Sequence, residues 1–142
     1  MEMFCYQCEQ TVKGTGCERL GVCGKDPTTA AMLDLLIHAT KGAAMYLWRA
    51  RQLGATDANA DREIVNALFT TVTNVDFDAD RIARDVRSMA AVRDRAKVLY
   101  VAAAAAKGLD PEVLSGPATF APAADIAGLL AQWSAVSIPA RK

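Results

Sequence analysis

The sequence predicts an all-α protein, a bundle of three to four helices preceded by an N-terminal cysteine-rich loop. Three observations lead to this prediction. Apolar residues recur at spacings of three and four over long segments, strand-type alternation never extends beyond a few residues, and all four cysteines lie within the first 23 residues. We assign the loop to residues 1–26 and the bundle to residues 27–142, which together form one compact domain.

The first helix is predicted over about residues 27–53. Asp26 supplies a capping side chain, Pro27 suits the first helical position, and Gly54 can end the helix in the left-handed conformation. Gly42 lies inside this helix, where glycine is unfavourable. We therefore expect a neighbouring segment to approach the helix closely at that point.

Three further helices complete the predicted bundle. The second covers about residues 61–72 and is followed by a turn in TNVDFDAD, where Asp78 caps the third helix, about 79–107, which ends before Gly108. Alternating Asp and Arg residues give this third helix a solvent-exposed face. The proline-rich segment after it reads as a loop with one short turn at 111–114, and the last helix covers about 123–136, closed by Pro139.

Composition excludes several classes of function. The 142 residues carry 16 basic and 16 acidic side chains, so the electrostatic attraction that dominates nucleic-acid binding is missing. The longest apolar run is shorter than the roughly 18 residues of a membrane span, and MEMFCYQ lacks the basic and apolar regions of a secretory signal. We expect a cytoplasmic protein that binds neither nucleic acid nor membrane.

The cysteines form the pattern Cys5-x2-Cys8-x8-Cys17-x5-Cys23. Clustered thiols in a reducing compartment more often bind metal than form disulfides. A structural zinc site usually uses two tight cysteine pairs, and here the second pair is separated by five residues. An iron–sulfur cluster tolerates uneven spacing and is favoured, while zinc and disulfides remain alternatives.

Residues around the cysteines are expected to support such a site. Backbone N–H groups are expected to donate to sulfur, Phe4, Tyr6 and Val22 to cover one side, and CEQT to supply side-chain hydrogen bonds from Gln10 or Thr11. The predicted N–H donors are Gly14, Thr15, Gly16, Gly21, Val22 and Gly24.

Other candidate residues have simpler interpretations. His38, Trp48 and Trp133 are interpreted as packing residues, with each indole N–H finding a partner. Lys25 and Lys41 are interpreted as solvated surface lysines, the alternative being that they lie near the cluster and raise its potential. No arrangement of nucleophile, base and carboxylate suggests hydrolytic chemistry.

The strings FCYQCEQTVKGTGC, GVCGKD, LDLLIHATKGAAMY and ALFTTVTNVDFD closely resemble the N-terminal part of the hybrid cluster protein family, also called prismane proteins or hydroxylamine reductases. The resemblance covers Met3 to about residue 138. It implies that a [4Fe-4S] cubane is bound by Cys5, Cys8, Cys17 and Cys23, whereas another class of the family carries [2Fe-2S].

The resemblance also sets expectations about activity. Family members extend several hundred residues further, and their catalytic hybrid cluster takes cysteine, histidine and glutamate ligands from that later portion. This sequence has no cysteine after Cys23 and one histidine. We therefore expect no catalysis by the chain alone.

Three functions follow from these expectations. The first is one-electron transfer with a redox partner protein. The alternatives are a subunit or fragment of a hydroxylamine reductase whose hybrid cluster another chain supplies, and a non-redox interaction domain whose loop is pinned by metal. Because such clusters lie near subunit surfaces in the family, the resemblance also allows a homodimer.

Overall fold

The computed structural model describes residues 1–72 and 76–137. Within these ranges the chain forms four α-helices, α1 (Pro27–Gln52), α2 (Ala58–Val72), α3 (Ala79–Ala106) and α4 (Ile126–Val136). Two short 3-10 turns, Val12–Gly14 and Gly116–Thr119, lie in the loops. The prediction of an all-α helical bundle is confirmed. None of the helices in the described part of the chain is long and apolar enough to cross a membrane.

The core of the bundle lies between α1 and α3, which make the most extensive contact of any two helices. Met32, Leu36 and Ala43 of α1 are completely buried against the face of α3 that carries Ile82 and Val86. Small alanines on both helices let the backbones approach each other. The remaining helices α2 and α4 pack against this central pair.

The limits of α1 and α3 follow the sequence prediction closely because aspartate caps define them. Asp26 accepts a hydrogen bond from the Thr29 backbone N–H at 2.7 Å, and Asp78 accepts one from the Arg81 N–H at 3.1 Å. These bonds satisfy N–H groups that have no partner inside the helix.

The starts of α2 and α4 were predicted wrongly, each by three residues. Helix α2 begins at Ala58 rather than 61 because Asp57 accepts a hydrogen bond from the Ala60 N–H at 3.0 Å. Helix α4 begins at Ile126 rather than 123 because the cap is Asp125, which accepts from the Gly128 N–H at 2.7 Å. In both cases the deciding aspartate was present in the sequence but was not used as the boundary.

The connection between α3 and α4 also differs from the prediction. Residues 111–114 form no turn, since the Glu112 N–H donates to the hydroxyl of Tyr100 at 2.9 Å and is thereby held against α3. The turn lies instead at Gly116–Thr119. Part of the turn predicted after α2 and the closing Pro139 lie outside the described residues.

The same 3-10 turn explains the glycine inside α1. A Cβ atom placed on Gly42 would lie 2.2 Å from the backbone oxygen of Pro117. The close approach predicted from the sequence is confirmed, and it brings the loop after α3 against the middle of α1.

Candidate metal centre

Two of the four cysteines are brought together by backbone pairing. The Cys5 N–H donates to the Cys17 carbonyl at 2.9 Å, and the Cys17 N–H donates to the Cys5 carbonyl at 2.8 Å. Residues that exchange both hydrogen bonds in this way have Cα atoms about 5.5 Å apart. Cys5 and Cys17 are therefore neighbours although they are distant in sequence.

A small apolar cluster anchors this pair to the bundle. Met3, Cys17 and Ala30 are all buried, and Cys5 packs against them. Ala30 belongs to the first turn of α1. This cluster is separate from the main core, so the cysteine loop has its own packing at the amino end of α1.

Cys23 lies in a tight turn that depends on a glycine. The Gly21 N–H donates to the Lys25 carbonyl and the Gly24 N–H donates to the Gly21 carbonyl, both at 2.8 Å. A Cβ on Gly21 would lie 3.0 Å from the Sγ of Cys23 and 3.0 Å from the Cβ of Lys25. Glycine at position 21 therefore leaves the space that the Cys23 sulfur uses. Cys23 is exposed and Cys8 is partly buried.

An aromatic ring closes the other part of the loop. Phe4 packs directly on Gly16, where a Cβ would lie 2.5 Å from the Cε2 atom of the ring. The rings of Phe4 and Tyr6 lie 5.5 Å apart. Tyr6 and Val22 are themselves about three-fifths exposed, at 58% and 62%. Of the three residues predicted to cover the site, Phe4 is thus the one that is packed into the loop.

The predicted hydrogen bonds to sulfur differ from those that the loop makes. Five of the six predicted backbone donors already bond to carbonyl groups of the loop, those of Gly14, Thr15, Gly16, Gly21 and Gly24. The reason is that these residues form the turns themselves, and a turn uses its own N–H groups. The Thr11 side chain makes no capping hydrogen bond to the Val12–Gly14 turn, and Gln10 is exposed, so the support predicted from CEQT stays a prediction.

No disulfide joins Cys5, Cys8, Cys17 or Cys23. Within residues 1–72 and 76–137, no three His, Cys, Asp or Glu side chains are grouped closely enough to hold one metal ion. The assignment of Cys5, Cys8, Cys17 and Cys23 as ligands stays a prediction.

Sequence reasoning missed one polar group in the loop. The Oε1 atom of Gln7 is buried and accepts no hydrogen bond from the described part of the chain. A buried polar atom without a partner costs about 1–3 kcal/mol. Gln7 also lines a cavity of about 320 Å³ between the loop and the bundle, together with Phe4, Cys5, His38, Lys41 and Leu68. The position of Gln7 between Cys5 and Cys8 was the sequence signal that could have identified it as part of the site.

The residues of the bundle follow the prediction in part. The indole N–H of Trp133 donates to Asp34 at 2.9 Å, and His38 is partly buried with its ring edge-on to Phe120 at 5.1 Å. Trp48 was predicted to pack in the core, but it is 61% exposed with the guanidinium of Arg49 over its ring. Leu47 and Ala50, on either side of it in the sequence, are buried, so Trp48 lies on the solvent-facing side of α1.

The prediction of solvated lysines is right for Lys41 and wrong for Lys25. Lys41 is exposed, as predicted. Lys25 was interpreted as a solvated lysine, and this was wrong, because its side chain is 1% exposed. The turn from Gly21 to Lys25 directs residue 25 inward against Gly21. The local sequence pattern did not predict this burial.

The chain is similar over nearly its whole length to several hydroxylamine reductases. It is 48% identical to a hydroxylamine reductase of Rhodospirillum rubrum over 139 residues, which cover 98% of this chain and 25% of that protein. A hydroxylamine reductase of Geobacter sulfurreducens is 47% identical over 134 residues, covering 93% and 24%. One from Burkholderia ambifaria is 49% identical over 142 residues, covering 97% and 26%.

The chain thus spans about a quarter of the length of the curated relatives it matches. Residues 3–137 match the model of the Prismane/CO dehydrogenase family, and prismane proteins carry iron–sulfur clusters. Because that match covers nearly the whole sequence, the resemblance read from the cysteine motif is confirmed, and the chain belongs to the prismane/CO dehydrogenase family.

Proposed function

We propose that the chain binds one [4Fe-4S] cluster through Cys5, Cys8, Cys17 and Cys23 and serves in one-electron transfer. The observation that carries this proposal is the loop geometry around the sulfurs. Backbone pairing sets Cys5 beside Cys17, and Gly21 leaves room for the sulfur of Cys23. Membership in the family supports the same assignment.

The donor set fits an iron–sulfur cluster better than a zinc ion. A structural zinc site usually takes its four cysteines from two tight pairs, and here the second pair, Cys17 and Cys23, is separated by five residues. A cluster is a larger object, and thiolates are its usual ligands.

When bound, such a cluster supplies one-electron transfer, because four thiolates leave no open iron for a substrate. The protein's own residues hold the group and control access to it. Cys17 and Cys5 lie on the packed side, against Met3 and Ala30, whereas Cys23 is exposed. The Cys23 side of the loop is therefore the side that a redox partner protein would approach. We also propose that the protein works in the cytoplasm.

Reduction of the loaded protein tests the redox role. After anaerobic reconstitution, dithionite should add one electron per chain, detected as a low-temperature paramagnetic resonance signal, and air-free oxidation should remove it. A ferredoxin-type protein should replace dithionite as the one-electron donor. A metal-loaded protein that accepts no electron would contradict the proposal and favour the non-redox interaction domain.

A second function is favoured by one further observation: the chain is a fragment or subunit that works with the rest of a hydroxylamine reductase. Helix α2 exposes an apolar stripe, in which Val65, Leu68 and Val72 are 64%, 43% and 53% exposed. Contiguous exposed apolar surface typically marks an interaction site. The relatives contain about three times as much additional polypeptide, and we propose that this remainder covers the stripe.

Co-expression tests this second proposal. We expect the chain to co-purify with the part of the Rhodospirillum rubrum hydroxylamine reductase that follows the matched quarter, and Val65→Asp to weaken the association at least tenfold. Val98→Asp on α3, where Val98 is 70% exposed, is the matched control and should bind like the unmodified chain. Equal binding by both variants, or a homodimer of the chain in sedimentation with no binding of the remainder, would contradict it.

A further inference from the structure

Lys25 is a buried cation without a counter-charge in the described part of the chain. Its side chain is 1% exposed. Lys25 takes part in none of the ion pairs that Arg49, Arg51, Arg81, Arg93 and Arg95 form with carboxylates. Burying an unpaired charge is costly, so such groups are normally paired or bound to an ion. The five ion pairs therefore do not account for a lysine at this buried position.

The position of Lys25 relates it to the metal centre. It lies two residues after Cys23, and its carbonyl accepts the hydrogen bond that closes the Cys23 turn. The Cβ of Lys25 and the Sγ of Cys23 both lie 3.0 Å from the point where a Cβ of residue 21 would be placed. The buried lysine and the cysteine sulfur are therefore packed around the same glycine.

We propose that Lys25 is the internal counter-charge of the iron–sulfur cluster and that it raises the cluster's reduction potential. This inference rests on the proposed function, since it requires a cluster bound by the cysteine loop. Four thiolates contribute more negative charge than the iron–sulfur core offsets, so the assembled group is an anion. Reduction by a one-electron donor makes that anion more negative. A buried cation stabilises the reduced form more than the oxidised form, because electrostatic interactions are strong where water is excluded.

The proposal makes a separate statement about the protein without its cluster. There the charge of Lys25 is uncompensated, and replacement by methionine, which has a similar length and no charge, should be stabilising. We therefore expect apo Lys25→Met to melt at a higher temperature than the apo unmodified protein. Loading with the cluster should raise the melting temperature of the unmodified protein by more than that of Lys25→Met.

The decisive experiment compares the potentials of three proteins, the unmodified chain, Lys25→Met and Lys97→Met. All are reconstituted anaerobically, analysed for iron and sulfide, and titrated at one fixed pH with dithionite in the presence of redox mediators. Lys25→Met should show an equilibrium constant for reduction at least tenfold lower, a shift of about 59 mV to more negative potential for one electron. Lys97 is exposed on α3, so its charge is screened by water and Lys97→Met should keep the potential of the unmodified chain.

The possible results distinguish the proposed cluster binding from the proposed role of Lys25. Failure of the unmodified chain to bind iron would overturn both the proposed function and this inference. Iron-loaded Lys25→Met with an unchanged potential would overturn the inference alone. If Lys25→Met keeps its helical circular dichroism but binds no iron, Lys25→Arg decides: recovery of iron binding supports the counter-charge, and continued loss shows that charge is not the property that matters.

Discussion

Replacing Cys17 by serine should remove iron binding while leaving the helical bundle folded. Cys17 is 4% exposed and packs with Met3 and Ala30 in a cluster apart from the main core. The hydroxyl of serine is a poor substitute for a thiolate ligand. Iron content after anaerobic reconstitution should therefore fall from the full complement to a three-iron form or to none, and the helical circular dichroism should keep nearly its full amplitude.

The matched control for this change is Leu20→Ser. Leu20 belongs to the same loop and is 56% exposed, so its replacement should preserve both iron content and helicity. Two outcomes would contradict the account. Full iron loading of Cys17→Ser would show that the cysteine is not a ligand, and collapse of the helices would show that the metal supplies the folding free energy of the whole chain.

Gly42→Ala should destabilise the bundle although alanine is the better helix former. Alanine favours a helix interior over glycine by about 1 kcal/mol. Here the added methyl group would lie 2.2 Å from the backbone oxygen of Pro117. The loop must move to accept it, and overpacking of this kind costs about 1–3 kcal/mol. We expect the melting temperature to fall by several degrees in a thermal denaturation experiment.

Lys41→Ala is the control for this prediction. It changes the neighbouring residue of α1, which is exposed, and surface replacements of this kind usually alter stability by less than about 0.5 kcal/mol. A Gly42→Ala protein more stable than the unmodified chain would mean that the Gly116–Thr119 turn does not lie against α1 as described.

Much of the fold could be predicted from the sequence because its signals are local. The periodicity of α1 and α3 and the caps Asp26 and Asp78 determine where those helices lie. The starts of α2 and α4 were predicted wrongly. The residues that cap them, Asp57 and Asp125, are each one of several capping candidates in the local sequence. Competing local signals leave helix starts uncertain by a turn.

The candidate site was less predictable because its organisation is not local. The pairing of Cys5 with Cys17 and the burial of Lys25 depend on how the loop folds back on α1. The glycines were correctly singled out, but their N–H groups close turns rather than point to sulfur. A sequence can thus indicate which residues form a metal loop while leaving open which of their groups are available to the metal.

Iron and acid-labile sulfide analysis tests the central claim most directly. The unmodified chain, reconstituted and purified without oxygen, should contain about four irons and four sulfides per polypeptide, as a [4Fe-4S] cluster requires. A colourless protein that holds one zinc ion, or one in which the cysteines are joined as disulfides, would contradict it.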